Sequence, residues 1–399
     1  MKVYILDAKR SPIGSFLGSL KKEHPADVGA QVLASMIEKN KIDVNRIDEV
    51  IIGNVLPAGL GQGVGRQVSI KTGIPTSIPA YSLNMVCGSG MKTVMNAFTN
   101  VKAGLGNLYI AGGVEHMSKA PFITPSAVRN GQKLGAIKQE DHILQDALTD
   151  SFHGIHMGIT AENIAEKYQI SREAQDQFAY MSQQRAIKAI DENKFKDEIV
   201  PVEVKPGREV VTFDTDEYVN RQTSLEKLAK LRPAFKKDGS VTAGNASGIN
   251  DGASMVIVAS EKMVDDLGVT PLCELVAVGQ GGVDPTLMGM GPVPAIRQAL
   301  KAAGLKLSDM DLIELNEAFA AQSLGVMEEL ISEHCVDHEW LTERTNVNGG
   351  AIALGHPVGS SGNRILVTLV HEMKKRNATY GLASLCIGGG MGTAVIVKM

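Results

Sequence analysis

Near both ends of the chain, sequence patterns typical of a helix, a strand and a glycine-rich turn occur in the same order. This repeat limits the number of folds that the chain can adopt. Three pairs of segments match in order: residues 47–54 with 309–316, residues 85–90 with 357–362, and residues 107–113 with 379–389. Any two α/β halves share some of this patterning, but the ordered series favours an internal duplication. Two similar βαβ units would then bring corresponding turns to one face, where open α/β sheets bind ligands.

The middle of the chain has a different composition. It is polar, with scattered Met, Gln and His, and it contains one well-defined predicted helix, from Ser171 as the N-cap to about Asn193. An insertion of this length is too long for a plain loop. We therefore predict three parts: an N-terminal half (1–118), a loop subdomain over the site (119–250) and a C-terminal half (251–399).

Composition argues against several classes of protein. The 399 residues carry a formal net charge of −4, which gives no indication of a nucleic-acid partner. No apolar run approaches the roughly 18 residues of a membrane span, and the N-terminus begins as a strand without a signal or transit segment. The four cysteines form no Cys-x-x-Cys pair, so neither a disulfide framework nor a structural zinc site is predicted. We expect a reduced, cytoplasmic protein with no metal and no membrane or nucleic-acid partner.

Two residues in glycine-rich segments are candidates for nucleophilic chemistry. Cys87 precedes Gly-Ser-Gly at a predicted helix start, where the helix dipole and free N–H groups stabilise a thiolate. We expect Gly88 and Gly90 to leave room for a bulky acyl group. His356 precedes Pro357, which keeps it out of the helical region, so it can act from a loop as general base for a thiol. Taken alone, each is equally well explained as a buried structural cysteine or a histidine filling a turn.

Cys386 and Asn316 complete the candidate set. Cys386 ends an apolar strand and precedes three glycines, whose N–H groups are free to form an oxyanion hole. Asn316 lies at a strand-to-helix junction, where it can cap the helix. Water held on its amide could also donate to a developing enolate. Glu115 receives no role from physical reasoning alone.

Residues 221–237 form a basic segment, with six Lys and Arg side chains against one Glu. Such a run is normally a solvated surface, but a ligand with a phosphate tail would also favour it. The small-residue strip at 242–252 would let a narrow chain pass. Met157, Met288 and Phe319 either wall an apolar pocket or pack in the core. The glycines match no nucleotide-binding motif.

Seven motifs, taken together, resemble the thiolase family. They occur in the family's order and cover nearly the whole chain: Asn84-Met-Val-Cys-Gly-Ser-Gly90, Gly112-Gly-Val-Glu-His-Met-Ser118, His156-Met-Gly-Ile-Thr-Ala-Glu162, Gly244-Asn-Ala-Ser-Gly-Ile-Asn-Asp-Gly252, Asn316-Glu-Ala-Phe-Ala320, Gly355-His-Pro-Val-Gly-Ser-Ser-Gly362 and Cys386-Ile-Gly-Gly-Gly-Met-Gly392. Residues 129–135 and 146–150 resemble the branch that makes acetoacetyl-CoA. The resemblance implies an α/β thiolase fold, with duplicated halves in five-layer α-β-α-β-α packing and an inserted loop subdomain.

The resemblance also implies an acyltransferase that reversibly condenses two acetyl-CoA molecules to acetoacetyl-CoA and CoA. Cys87 would accept the acetyl group, His356 would activate Cys87, and Cys386 would take a proton from the methyl group of the second acetyl-CoA. Asn316, through water, would complete the oxyanion hole of the enolate. The N–H groups of Cys87 and Gly388 would hold the oxygen of the acetylated cysteine. The residues implied to bind substrate are Ser247, Ala243, Gly244, Ala318, Phe319, His156, Met157, Met288 and Arg221.

Other activities differ from this one in specific residues. A 3-ketoacyl-CoA thiolase for longer chains in fatty-acid breakdown is the alternative within the family. A carrier-protein ketosynthase would carry a second histidine where Cys386 stands, and an inactive lipid carrier would lack the nucleophile or the base. The family implies no cofactor, since CoA thioesters are the substrates, and a homodimer or homotetramer.

The chain departs from the family pattern in three places. Ser360 stands where alanine is usual, and Asn220 aligns where relatives place an arginine against the CoA adenine, with Arg221 adjacent. Residues 332–345 are unusually rich in His and acidic residues. A metal cluster there is one interpretation, but we predict a solvated loop.

Overall fold

The computed structural model describes residues 1–205 and 207–399 and shows an α/β architecture. Its strands are β1 (Val3–Arg10), β2 (Gly14–Ser15), β3 (Glu49–Gly53), β4 (Ala80–Leu83), β5 (Leu108–His116), β6 (Phe122–Ile123), β7 (Glu140–Asp141), β8 (Val202–Val204), β9 (Val211–Phe213), β10 (Asn250–Ser260), β11 (Cys273–Gly282), β12 (Leu312–Leu315), β13 (Tyr380–Ile387) and β14 (Met391–Lys398). Its α-helices are α1 (Pro25–Asn40), α2 (Val64–Lys71), α3 (Ser89–Lys102), α4 (Met157–Lys167), α5 (Arg172–Asp191), α6 (Leu225–Ala229), α7 (Glu261–Leu267), α8 (Pro292–Ala303), α9 (Ala320–His334), α10 (His338–Arg344), α11 (Ala351–Leu354) and α12 (Val358–Arg376).

The strand pairing confirms the predicted duplication. In the first half the order is β1-β10-β5-β3-β4, with two antiparallel pairings followed by two parallel ones. In the second half β11-β14-β13-β12 repeats this pattern, and a single parallel bridge between Ile313 and Thr345 takes the place of β4. The equivalent strands β1 and β11 pair with each other antiparallel at Tyr4–Glu274 and Ile5–Cys273. The two halves therefore meet at the middle of one mixed sheet.

Alternating side chains build the predicted five layers. In β5, Leu108 and Ile110 pack in the core formed with α1 and α2, whereas Tyr109 and Ala111 pack in a central core with α3 and α12. In the second half, neighbouring residues of β14 alternate in the same way between the central core and the core with α8 and α9. Because side chains of a strand point alternately to its two faces, each half of the sheet has a helix layer on both sides. The α-β-α-β-α packing is confirmed.

The central helices α3 and α12 begin at the two matched turns and approach each other closely. A Cβ on Gly90 would lie 3.0 Å from the main chain of Asn363, and a Cβ on Gly88 would collide with the side chain of Ile387. These glycines are thus required for packing within the protein. The expectation that they leave room for an acyl group was wrong.

The insertion contains more helix than was predicted. Ser171 caps α5 by accepting a hydrogen bond from Ala174 N at 3.2 Å, as predicted, but α4 precedes it and the β8–β9 hairpin follows it. The insertion is fixed to β1 by buried ion pairs from Arg10 to Glu198 (2.6 Å) and to Asp216 (2.7 Å). Moving the insertion away from β1 would leave these buried charges unpaired, which is strongly destabilising. The ion pairs therefore hold the insertion in place.

Two segment assignments need adjustment. The three-part division stays a prediction, but its boundary at residue 250 assigns β10 to the second half, whereas β10 pairs with β1 and β5 in the first. The acidic, His-rich segment at 332–345 is not a loop. It holds the end of α9 and the helix α10, which Asp337 caps by accepting from Trp340 N at 2.7 Å.

Among the described residues, no helix is long and apolar enough to span a membrane.

Candidate active site

A cavity of about 310 Å³ lies where the turns of the two halves converge. Cys87, His356 and Cys386 all line it. Cys87 comes from the turn before α3, His356 from the turn before α12, and Cys386 from the end of β13. The structure thus brings together two sulfur atoms and an imidazole that lie far apart in the sequence.

Cys87 follows a strained turn. Val86 has a φ of 46°, in the left-handed region that β-branched residues avoid. The turn is fixed by Asn84 Oδ1, which accepts from Val86 N at 2.9 Å, and by Ser89 Oγ, which accepts from Met85 N at 2.8 Å. Strain of this kind persists only where the surroundings enforce it, and it is concentrated at functional sites.

The thiol of Cys87 is protonated at neutral pH. Burial raises its pKa to about 11, although the N–H groups of Gly388 and of Cys87 itself point to the sulfur and oppose the rise. The N–H group at the helix start lowers the pKa of Cys87, as expected, but desolvation outweighs it. Attack by this sulfur therefore needs a base beside it.

His356 is built as such a base. Its Nδ1 lies 2.6 Å from Ser361 Oγ, and that hydroxyl donates its one proton to Pro357 O at 2.9 Å. Nδ1 must therefore carry the ring proton, which leaves a lone pair on Nε2. Nε2 is buried without a hydrogen-bond partner within the described part of the chain. Burial, and secondarily the charge of Arg364, lower the pKa of His356 to about 3, so the ring is neutral.

Cys386 is more deeply buried than Cys87. Its side chain is 1% exposed, and burial together with the neighbouring Cys87 raises its pKa well above the ordinary range. The glycine turn that follows presents Gly388 N to Cys87, and Gly389 has a φ of 85° that favours glycine. A thiolate formed at Cys386 would be a stronger base than an ordinary cysteine.

Asn316 is buried next to the cavity wall. Its main-chain N donates to Ser384 O at 3.0 Å, two residues before Cys386, and Ala318 in the wall lies two residues after it. Neither Oδ1 nor Nδ2 has a partner among the residues described. A buried amide with four open positions fits a site for ordered water, as expected for this residue.

Five of the residues predicted to bind substrate form one side of the cavity wall. His156, Met157, Met288, Ala318 and Phe319 all contribute to it. Sequence reasoning missed the aromatic ring that joins them. Phe235 stacks on His156 with ring centres 4.7 Å apart and packs edge-on against Phe319 at 6.2 Å. A lone aromatic in the otherwise basic segment 221–237 was the available signal.

A second wall was also missed. A π-helical turn at Leu144–Leu148 places three apolar side chains on the cavity: Leu144, Ala147 and Leu148. Such turns occur frequently at functional sites. In the sequence, only the spacing of two apolar residues, Leu144 and Leu148, indicated this second wall.

An open groove of about 620 Å³ adjoins the cavity and shares Ala243 and Tyr218 with it. Gly244, Asn220 and Lys227 line the groove. The small-residue strip is tied to the cavity wall through Ser247, whose N donates to Ala318 O at 2.9 Å. A narrow chain can therefore run from the groove to the cavity.

Arg221 does not line the cavity or the groove. Its guanidinium forms an exposed ion pair with Asp191, with distances of 2.6 and 3.2 Å. The prediction that Arg221 contacts substrate is not supported by this geometry, because its donors point to α5. The polar residues of the basic segment that line the groove are Thr223 and Lys227, and Asn220 lies just before the segment.

Comparison with known proteins places these features in one family. The model of the thiolase N-terminal domain matches residues 3–262, and that of the thiolase C-terminal domain matches residues 269–399. The acetyl-CoA acetyltransferase of Syntrophomonas wolfei is 52% identical, over 100% of this chain and 99% of that protein. The acetyl-CoA acetyltransferase of Escherichia coli is 50% identical, over 99% of this chain and 98% of that protein.

Solved structures agree with this result. The crystal structure of the Bacillus anthracis acetyl-CoA acetyltransferase has a TM-score of 0.95 and 42% identity, covering 100% of this chain and 98% of that one. Human mitochondrial 3-ketoacyl-CoA thiolase in complex with CoA has a TM-score of 0.93 and 45% identity, with the same coverage of 100% and 98%.

Proposed function

The chain belongs to the thiolase family, and we propose that it catalyses the reversible condensation of two acetyl-CoA molecules to acetoacetyl-CoA and CoA. The observation that carries this proposal is the convergence of Cys87, His356 and Cys386 on one apolar cavity that opens into a groove. Relatives about 50% identical over their full length are named for this activity.

In the first half-reaction Cys87 takes the acetyl group. His356 Nε2 accepts the thiol proton as the sulfur bonds to the carbonyl carbon of acetyl-CoA. We propose that the N–H groups of Cys87 and Gly388, which lie beside the Cys87 sulfur, hold the oxyanion. When the bond from carbon to the CoA sulfur breaks, Cys386 gives its thiol proton to the leaving CoA thiolate, which leaves Cys386 as a thiolate and His356 as an imidazolium for the second half-reaction. The neutral ring of His356 suits this task, because a protonated imidazole could not act as base.

In the second half-reaction Cys386 acts as base toward the methyl carbon of a second acetyl-CoA. Its raised pKa makes its thiolate better matched to a weak carbon acid than an ordinary thiolate. The enolate oxygen would be held by His356 and by water on Asn316. The enolate carbon then bonds to the acetyl carbon, and the Cys87 sulfur leaves and takes back its proton from the imidazolium of His356. Acetoacetyl-CoA is released, and both thiols and the neutral ring are restored. These steps consume no further reactant, so we propose that no cofactor takes part.

Thiolysis of two ketoacyl-CoA substrates tests the proposal. We expect kcat/KM for acetoacetyl-CoA to exceed that for a C8 3-ketoacyl-CoA by roughly tenfold or more, because each badly placed methylene costs 1–3 kcal/mol. The aromatic wall at Phe235 limits the space for a longer chain. Cys87→Ser is the control for background thiolysis and should be inactive.

The outcomes separate the alternatives. Equal or faster cleavage of the C8 substrate would favour a 3-ketoacyl-CoA thiolase in fatty-acid breakdown. Failure to cleave either substrate would contradict a thiolase activity altogether. A homodimer or homotetramer and a cytoplasmic location stay predictions.

A further inference from the structure

Glu115 is a buried carboxylate near the end of β5 that the reaction described above does not use. It is 0% exposed, and its two oxygens accept four hydrogen bonds. The donors are Asn54 Nδ2 (3.0 Å) and Leu56 N (3.2 Å) on Oε1, and Val55 N (2.8 Å) and Gly359 N (3.0 Å) on Oε2. Because burying an unpaired carboxylate is very costly, this full set of donors indicates a site built around the carboxylate.

These donors belong to the loops that carry the acyl-transfer residues. Gly359 lies in the first turn of α12, three residues after His356. On the other side, Asn84 Nδ2 donates to Val55 O at 3.3 Å, while Asn84 Oδ1 accepts from the N–H of the residue before Cys87 at 2.9 Å. One carboxylate thus connects the turn of His356 with the turn of Cys87, across the boundary between the two halves.

We propose that Glu115 is a positioning residue for acyl transfer, which holds the imidazole of His356 at the distance from Cys87 that proton transfer requires. The proposal rests on the function proposed above. Glu115 does not line the cavity and acts through main-chain N–H groups. The fit is tight, since a Cβ on Gly359 would lie only 2.5 Å from Glu115 Oε2. Loss of the carboxylate would therefore let the start of α12 move.

Glu115 also acts on the site through its charge. Burial is the main cause of the raised pKa of Cys87, and the negative charge of Glu115 adds to it. The titratable groups around this pair are Asp251 on β10, His356 before α12 and Cys386 on β13. Burial raises the pKa of Glu115 itself to about 7. Removing the charge of Glu115 should lower the pKa of Cys87, which alkylation of Cys87 measures. Removing the hydrogen bonds of Glu115 should slow acyl transfer, which kcat measures.

Glu115→Gln tests both effects. A glutamine has one acceptor oxygen, so its NH2 would face N–H donors on one side. We expect kcat for acetoacetyl-CoA thiolysis to fall roughly 10- to 100-fold, as for a small misplacement of reacting groups, with little change in KM because Glu115 contacts no substrate. The pH midpoint for alkylation of Cys87 by iodoacetamide should move to lower pH.

Glu372→Gln is the matched control. Glu372 is a buried carboxylate near the other end of α12, where it accepts from Asn348 Nδ2 at 2.8 Å and Arg376 Nε at 2.6 Å. This variant should lower thermal stability and leave kcat and the alkylation midpoint unchanged. Asn54→Ala is a second test that keeps the charge and removes one donor. It should lower kcat by a smaller factor without moving the alkylation midpoint to lower pH.

A folded Glu115→Gln protein with wild-type kcat and a wild-type alkylation midpoint would overturn the proposal. A loss of thermal stability alone, as in Glu372→Gln, would overturn it as well. If Glu115→Gln does not fold, Asn54→Ala decides, and full kcat in that variant would count against positioning. Wild-type protein inactive toward acetoacetyl-CoA would contradict the proposed function instead, and the alkylation profiles would still show whether Glu115 acts on Cys87.

Discussion

At the scale of single residues, the protonation state of each group follows from its neighbours. Cys87 and Cys386 are both thiols at rest because burial raises their pKa, and His356 is neutral because burial lowers its pKa. Ser361 decides which nitrogen of His356 carries the proton. The site therefore starts acyl transfer as a neutral thiol and a neutral base, and charge develops only in the transition state.

Ser361→Ala tests the role of the tautomer. The variant leaves Nδ1 of His356 without its acceptor, and a lost buried hydrogen bond costs about 1 kcal/mol, or roughly fivefold in kcat. Ser360→Ala is the control, because the Ser360 hydroxyl bonds to Ser254 Oγ at 2.8 Å and does not touch the imidazole. A steady-state assay of thiolysis should show the loss in Ser361→Ala alone. Equal rates for both variants would mean that the hydroxyl does not control the imidazole.

Sequence motifs identified Cys87, His356 and Cys386 because glycine and proline restrict the main chain around each of them. The same reasoning missed Phe235, and it gave no role to Glu115 although Glu115 lies in one of the motifs. Phe235 acts through a ring contact with His156, 79 positions earlier in the sequence. Glu115 acts through main-chain donors from both halves, and the residue types of the donors carry no signal of it.

At the scale of secondary-structure elements, the site depends on how closely β5 and α12 approach. Gly113 of β5 faces the first turn of α12, and a Cβ at this position would collide with Gly359 O and come within 2.9 Å of Ser360 Cα. His356 lies just before the start of α12, and the first turn of α12 packs directly against β5. Small residues here are thus needed for the position of the base.

Gly113→Ala is expected to destabilise the protein by about 1–3 kcal/mol, the usual cost of overpacking, and to lower kcat as α12 shifts. Chemical denaturation and the thiolysis assay measure the two effects. Gly207→Ala is the control, because a Cβ there would meet no atom of the described chain within 4 Å, and its stability should change by less than about 0.5 kcal/mol. Wild-type stability in Gly113→Ala would show that the contact can relax at no cost.

Element boundaries were predicted where periodicity and a cap coincide, as for α5. The errors came where tertiary contacts decide. The strand β10 follows the insertion in sequence, yet its pairing with β5 over nine residue pairs places it in the first half. The helix α10 was predicted as a loop because its charged residues have no apolar stripe, although Asp337 caps it.

At the scale of the whole molecule, each half contributes a turn followed by a helix to the site, and the second half also contributes Cys386 from β13. The turns at Cys87 and His356 are equivalent under the duplication, but one carries a nucleophile and the other a base. The pairing of β1 with β11 and the contact of α3 with α12 fix the halves against each other. A duplicated fold thus provides a symmetric frame for an asymmetric pair of catalytic groups.

The most direct test of the division of labour is to expose Cys386→Ala to acetyl-CoA and locate the adduct by peptide mass spectrometry. We predict an acetyl group on Cys87, because the nucleophile, His356 and the oxyanion donors remain in place, and no acetoacetyl-CoA, because the base for the second step is missing. Acetyl on another residue, or condensation at the wild-type rate, would contradict the assignment of the two sulfur atoms.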